Sequence, residues 1–213
     1  MAIEFYAGSG SPFAWRVWLA LEHKQLPYTL KMLSFQNGDH KKPEYLAINP
    51  RHQVPSIVDD GFALTESSAI VEYLEEKYPE RGIFPRVVRD KAVVRRKMLE
   101  VINHVAPAAM PLNRAVLFKS EADWDKAVIT EARAKCVAEF PAIDALIEGP
   151  FVAGSAVGIG DYTLYPIVAL SLRCDKKRPE TALGSELSPK ARDWMKRIEA
   201  LPYFEKTLPP HWK

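Results

Sequence analysis

Four short stretches of this chain carry residue types that could hold a sulfur between two carboxylates. Ser11 stands directly before Pro12, and serine at the N-cap with proline at the first helical position is a favoured helix start. A hydroxyl there can accept a bond from a backbone N–H while donating its own proton elsewhere. A thiol with a free pKa of ~8.5 is driven toward thiolate by a helix N-terminus plus a hydrogen-bond donor. Each unit of depression corresponds to about 1.4 kcal/mol. The thiolate is the nucleophile, so Ser11 is the first catalytic candidate; Ser9, with Gly8 and Gly10 on either side, is the reserve. Glu66 and Ser67 stand where another helix begins: a serine hydroxyl and first-turn N–H groups suit a carboxylate, and Glu66 suits an adjacent ammonium. His40, Lys41 and Gln53 offer positive charge and amide donors for a second carboxylate, and Val54-Pro55 leads into a strand.

Each stretch has a plainer account as well. Ser11 alone reads as an ordinary N-cap, Ser9 as a turn residue, and Glu66 as an acid favoured by the helix dipole. The His40-Lys41-Lys42 run reads as solvated charge, and Val-Pro as an edge-strand or turn feature. What raises the sharper reading is the order in which the elements would carry these residues.

Ala2–Tyr6 is a short apolar-rich run ending in Gly8-Ser9-Gly10, which predicts a first strand and a tight loop. Pro12 to about Lys24 predicts a helix and Tyr28–Leu33 a second strand. Pro55–Val58 and Phe62–Leu64 flank Asp59-Asp60-Gly61, a strong hairpin signal. Ile70, Val71, Leu74 and Tyr78 then recur at helical spacing until Pro79. The order β-α-β-(α)-β-β-α is the thioredoxin-like arrangement, in which the position of Pro55 carries a cis-proline that turns the Val54 main chain toward the pocket. Beyond it the strand signals stop. Helical patterns are expected over 89–118, interrupted by Pro107 and Pro111, over 121–147, 161–173 and 188–200. The domains expected are therefore 1–80, a linker at 81–88, and an all-helical 89–213.

Composition narrows the function class. Of 213 residues, 47% are hydrophobic and 26% charged, and the net charge of +2 gives no reason to expect nucleic acid or an acidic surface as partner. The basic cluster Arg86–Lys97 is interleaved with Val87, Val88, Val93, Val94 and Met98, the pattern of an amphipathic helix with a solvated face. Cys136 and Cys174 stand far apart, without metal-ligand spacing, and read as small buried apolar groups. Neither a disulfide framework nor a bound metal is expected. The start Met1-Ala2-Ile3-Glu4-Phe5 does not have the pattern of a signal peptide, and no apolar run approaches a membrane span. A cytoplasmic protein without membrane partners is expected.

With these residues in place the chain resembles the cytosolic glutathione S-transferases across essentially its whole length. Ser11-Pro12-Phe13-Ala14-Trp15-Arg16-Val17 is similar to the serine-type catalytic segment of the tau and phi classes, and Gly38–Pro55 and Thr65–Ile70 look most like the phi pattern. The resemblance implies the glutathione transferase fold, glutathione as co-substrate, and a homodimer. It implies Ser11 as the thiolate-stabilising serine. His40, Lys41 and Gln53 would meet the glycyl carboxylate, Val54 the cysteinyl backbone, and Glu66 and Ser67 the γ-glutamyl end. Phe151–Pro166 resembles the run into the family's buried helix, with Asp161 as its structural capping acid. Two positions depart from the pattern. Gly158 stands where the family usually has Ser or Thr, a replacement that costs only a few tenths of a kcal/mol. Arg51-His52 stand where phi members tend to have an aromatic and a glycine, the aromatic often serving the dimer contact.

Phe13, Phe35, Asn103, Pro107, Met110 and Leu112 are candidates for a largely apolar electrophile pocket, and each also reads as ordinary packing. The expected function is conjugation of glutathione to small electrophiles, a detoxification type of chemistry, with glutathione peroxidase activity as a side or main reaction. Two alternatives stand beside it. One is a non-catalytic carrier or binding protein of the same fold. The other is a glutathione-dependent isomerase or dehalogenase, ranked lower because the Ser-Ser-Cys run of zeta-class isomerases is missing.

Overall fold

The structure is a computed structural model and describes residues 3–212. It separates into two compact units: the described residues of 1–84 together with those of 202–213, and residues 85–201. Ala2, expected to open the first strand, and Lys213, the expected end of the helical domain, lie outside the described residues.

The first unit begins with β1 (Ile3–Gly8), α1 (Pro12–Lys24) and β2 (Tyr28–Leu33), followed by the short helix α2 (Pro43–Leu46). β3 (Ser56–Asp59), β4 (Phe62–Thr65) and α3 (Ser67–Lys77) complete it. The sheet order is β2-β1-β3-β4. β1 pairs parallel to β2 and antiparallel to β3, and β3 pairs antiparallel to β4. This is the thioredoxin-like arrangement. The parallel β1–β2 pair needs a crossover, which α1 supplies; the antiparallel β3–β4 pair needs only the two-residue turn Asp60-Gly61, with φ of 50° and 82°. Alternation along β1 turns Ile3, Phe5 and Ala7 inward. Val17 and Leu21 of α1 and Ile70 and Leu74 of α3 are buried in the same unit. Burying each large apolar side chain is worth roughly 1.5–3 kcal/mol, so this core fixes the β1–α1 corner where Ser9 and Ser11 stand. The segment 202–212 also belongs to this unit, through α11 (Phe204–Thr207), although the sequence pattern assigned it to the helical half.

The second unit is all helical among the described residues, apart from one isolated bridge between Phe151 and Gly154. α4 (Val88–Glu100) passes through a π-helical turn, Val101–Val105, into α5 (Ala106–Val116). The interruption expected at Pro107 takes this form. The proline has no N–H to give, and the preceding backbone widens so that Ala106 N reaches Val101 O. The single helix expected over 121–147 is two, α6 (Lys126–Ala138) and α7 (Phe140–Leu146). Asp125 caps the first by accepting from Ala127 N and Val128 N, and Pro141 falls in the first turn of the second, where its missing N–H costs nothing. α8 (Ile159–Lys177) is buried continuously from Ile159 to Ser171, and α9 (Leu183–Glu186) and α10 (Pro189–Glu199) follow it.

Candidate functional site

The β1–α1 corner is built by local chemistry. Ser11 is the N-cap of α1: its Oγ accepts from Ala14 N at 3.3 Å, and its own N–H reaches Gly8 O at 3.0 Å. Among the described residues no acceptor takes the Ser11 hydroxyl proton. It therefore stays available at the positive end of a 13-residue helix. Phe35 lies directly over this corner. A Cβ on Gly8 would stand 2.3 Å from its ring, so only glycine permits the approach. The Phe35 ring meets the His40 ring at 5.2 Å, and His40 faces His52 at 6.2 Å. The structure thus brings Phe35 and His40 to the end of β1 that carries Ser9 and Ser11.

His40 Nδ1 is buried and has no hydrogen-bond partner among the described residues. Such orphaned groups are rare in folded proteins and fit a missing ligand. Lys41 is exposed, at the end of the 3-10 turn Asp39–Lys41. Gln53 has an exposed side chain, while its carbonyl accepts from Tyr45 Oη and, at 2.8 Å, from Asn49 Nδ2. Those bonds hold the 49–53 turn against α2. The Val54–Pro55 peptide is cis. The β1–β3 ladder ends at Tyr6↔Ser56, so Val54 stands beyond its last rung.

A second cluster sits where α3 begins. Glu66 is exposed at φ 66°, a conformation side chains other than glycine rarely adopt, and its side chain makes no capping bond. The N–H groups of the first turn of α3 therefore have no capping side chain from Glu66. Arg16 of α1, about 7.5 Å along the axis from Ser11, is only 2% exposed and donates through Nη2 to Ser67 Oγ and, at 3.1 Å, to Ser68 Oγ. Because Ser67 accepts from Arg16, its own proton is free to be donated to an anion. Burial pulls the Arg16 guanidinium down to about 10 and the Glu66 charge pulls it back up, so it stays cationic at neutral pH. Arg16 and Ser68 join Ser67 at this helix start without having been among the residues expected from the sequence. An arginine in a helix reads as solvated charge, and the one available signal was its place among Trp15, Val17 and Trp18 on an otherwise apolar stretch.

Phe13 lies beneath the Arg16 guanidinium at 5.9 Å. Asn103 and Pro107 fall at the π-turn junction, and Met110 lies one turn further into α5. Asp161, on α8, accepts from Val152 N and Gly158 N, both at 2.9 Å, and from Trp194 Nε1 at 2.8 Å, fully inside the second unit. Among the described residues no group of three or more His, Cys, Asp or Glu could hold a metal ion. No helix there is long and apolar enough to cross a membrane.

Comparison with known proteins gives the family. The family description "Glutathione S-transferase, N-terminal domain" matches residues 10–77, and "Glutathione S-transferase, C-terminal domain" matches residues 105–202. The chain is 29% identical over 215 aligned positions to "Glutathione S-transferase A" of Pleuronectes platessa, covering 96% of this chain and 90% of that protein. It is 30% identical to "Glutathione S-transferase 1" of Dianthus caryophyllus, covering 80% of this chain and 77% of that protein. The crystal structure of a glutathione S-transferase from the Antarctic clam Laternula elliptica superposes with a TM-score of 0.82 at 31% identity, covering 100% of this chain and 94% of that one. A thioredoxin-like unit with an unspent serine proton at the head of α1, a helical unit after it, and relatives spanning both together establish that the chain belongs to the glutathione S-transferase family.

Proposed function

We propose that the protein activates glutathione as a thiolate at Ser11 and conjugates it to small, largely apolar electrophiles. The observation that carries this reading is the Ser11 hydroxyl: it accepts from Ala14 N and keeps its proton for a ligand at the N-terminus of α1. The two carboxylates of glutathione have matching groups in the same unit. The γ-glutamyl end would take the α3 N-terminus, Ser67 and, for its ammonium, Glu66, with Arg16 behind the serine. The glycyl end would take His40, with its buried unpartnered Nδ1, together with Lys41 and Gln53. Val54 would pair with the cysteinyl backbone as an added strand does.

Phe13 and Phe35 are proposed for the electrophile on their places near Arg16 and Gly8. Asn103, Pro107 and Met110 are proposed on the family resemblance. Peroxidase activity uses the same thiolate and belongs to the same proposal. Serine-type, phi/tau-like class membership rests on the Ser11-Pro12 segment. The division into a glutathione-binding 1–80, a linker 81–88 and a helical domain from 89 that gives up its last residues from 202 to the first unit is likewise proposed, as is a cytoplasmic location suited to two free buried cysteines. A homodimer is proposed because large apolar side chains are exposed, Phe62 at 50% in one unit and Val88 at 81% in the other.

The test is glutathione binding and thiolate formation against pH for the parent chain and Ser11→Ala. In the variant the bound thiol should titrate about one unit higher or more, and kcat/KM should fall about 10²-fold, the usual cost of removing one donor to a developing anion. Binding with an unchanged thiol pKa would move the chemistry off Ser11. Binding without turnover in either protein would favour the carrier reading.

A further inference from the structure

A second hydroxyl shares the β1–α1 corner with Ser11, and it is held from far along the chain. Ser9 Oγ lies 2.6 Å from His211 Nδ1, across 202 positions of sequence. Trp212 Nε1 lies 2.9 Å from the other ring nitrogen, His211 Nε2. An indole N–H only donates. Nε2 must therefore present a lone pair, and in a neutral imidazole the ring proton is then on Nδ1. The tautomer follows from this network: Nδ1–H donates to Ser9 Oγ. A serine oxygen that accepts from an imidazole has its own O–H left to donate, and the accepted bond polarises that O–H further.

The placement of the imidazole depends on two built features. Gly10 has φ 82°, and a Cβ there would stand 2.9 Å from His211 Cε1 and 3.2 Å from Nε2, so the ring rests on bare backbone. The 204–212 segment is tied to α1 by Trp15, whose Nε1 donates to buried Thr207 Oγ1 at 3.0 Å. The Trp15 ring also meets Phe204 at 5.9 Å and Trp212 edge-on at 5.1 Å. Pro209 closes a small cavity whose other walls include Gly8, Ser9, Gly10 and Ser11. Trp15 thus couples the position of His211 to the helix that Ser11 caps.

We propose that His211 is a positioning residue for Ser9, and that Ser9 so oriented is a second hydroxyl donor to the bound thiolate beside Ser11. The proposal rests on the glutathione reading above. On deprotonation the thiol proton leaves to water, and the two serine hydroxyls keep their protons and donate them to the sulfur.

The experiment measures the pKa of bound glutathione by thiolate ultraviolet absorbance, and its affinity by calorimetry. The proteins compared are the parent, Ser9→Ala, His211→Phe, His211→Asn and the Ser9→Ala/His211→Phe double variant. His211→Phe keeps the ring against Gly10 and removes the donor. It should raise the bound-thiol pKa by about half a unit or more, roughly a threefold loss of thiolate at fixed pH. His211→Asn, whose amide N–H can replace Nδ1–H, should recover most of that shift. The double variant should shift no further than Ser9→Ala alone, since both remove one interaction. A depressed thiol pKa in the parent that His211→Phe leaves unchanged, or shifts that add in full, would overturn the role of His211 and leave the glutathione reading standing. A parent that neither binds glutathione nor depresses its thiol would overturn both.

Discussion

At Arg16 the cost of a buried charge can be weighed directly against the proposed binding of glutathione. The Arg16 guanidinium is buried to 2% exposure, and burial lowers its pKa to about 10. Keeping it charged across the range below that value costs on the order of 3 kcal/mol, because Glu66 and the serine hydroxyls offset only part of the desolvation. A cost of that kind persists when the charge is used. Arg16→Met should therefore leave urea-denaturation stability unchanged or raised, while glutathione affinity measured by calorimetry falls tenfold or more. Arg16→Lys should not restore it, because a single ammonium cannot fork to Ser67 and Ser68. A matched loss of stability and binding in Arg16→Met would make the residue a structural staple. The contrast with its neighbours shows what sequence can carry at this scale. Ser11, Glu66 and Ser67 are legible because helix starts are written in local residue types. Arg16 and His211 are not, since what makes them matter is a contact across 51 and 202 positions.

At the scale of elements, Asp161 shows how one side chain can organise three. From the first turn of α8 it takes the N–H of Val152, the N–H of Gly158 and the indole of Trp194 on α10. Burial pushes its carboxyl up, and those donors pull it down. Hydrogen bonds to a charged group are worth about 1.5–3 kcal/mol each, and a buried donor left open costs more than a bond never made. Asp161→Ala should therefore lose at least about 3 kcal/mol in urea denaturation. Asp161→Asn should recover only part, because its amide N–H₂ would face donors. A loss below about 1 kcal/mol for Asp161→Ala would mean that water replaces the carboxylate. Gly158 matters less because its own N–H already engages Asp161. The same scale divides what the sequence conveyed. The β3–β4 hairpin follows from Asp60-Gly61, whose turn chemistry is local. The break between α6 and α7 was missed because apolar periodicity continues through it, with Cys136, Phe140 and Ile143 all buried. The π-turn was anticipated only as a proline interruption, since a widened turn leaves no residue signature of its own.

Across the whole molecule, burial of phenols and thiols ties stability to alkaline pH. The order of strands and the helical second half were readable from periodicity. The return of residues 202–212 to the first unit was not, because α11 is one turn long and its burial is created by Trp15 and Thr207 meeting. That compactness has a titration signature. Burial, then the Glu4 hydrogen bond, raises Tyr6 from 10.0 to about 12. Burial and Glu22 raise Tyr28, burial and Glu199 raise Tyr165, and burial also raises Tyr45 and Tyr78. Burial likewise raises Cys136 to about 11 and Cys174 to about 12 from 9.0. Each of these folded-state values lies above its unfolded one, so between about pH 9 and 12 the folded chain binds more protons than the unfolded chain. The stability they contribute is complete below that window and drains as pH rises through it. Arg16 and Arg173, whose values are lowered by burial, work in the opposite direction and are outnumbered. The melting temperature should therefore fall steadily from about pH 9 to pH 12. Phenolate absorbance in the native protein should lag that in denaturant, with most of the five named tyrosines still protonated when the denatured chain has ionised. Native phenols that titrate together with those of the denatured chain would mean that water reaches these rings, and with it the sheet and helix faces that position Ser11.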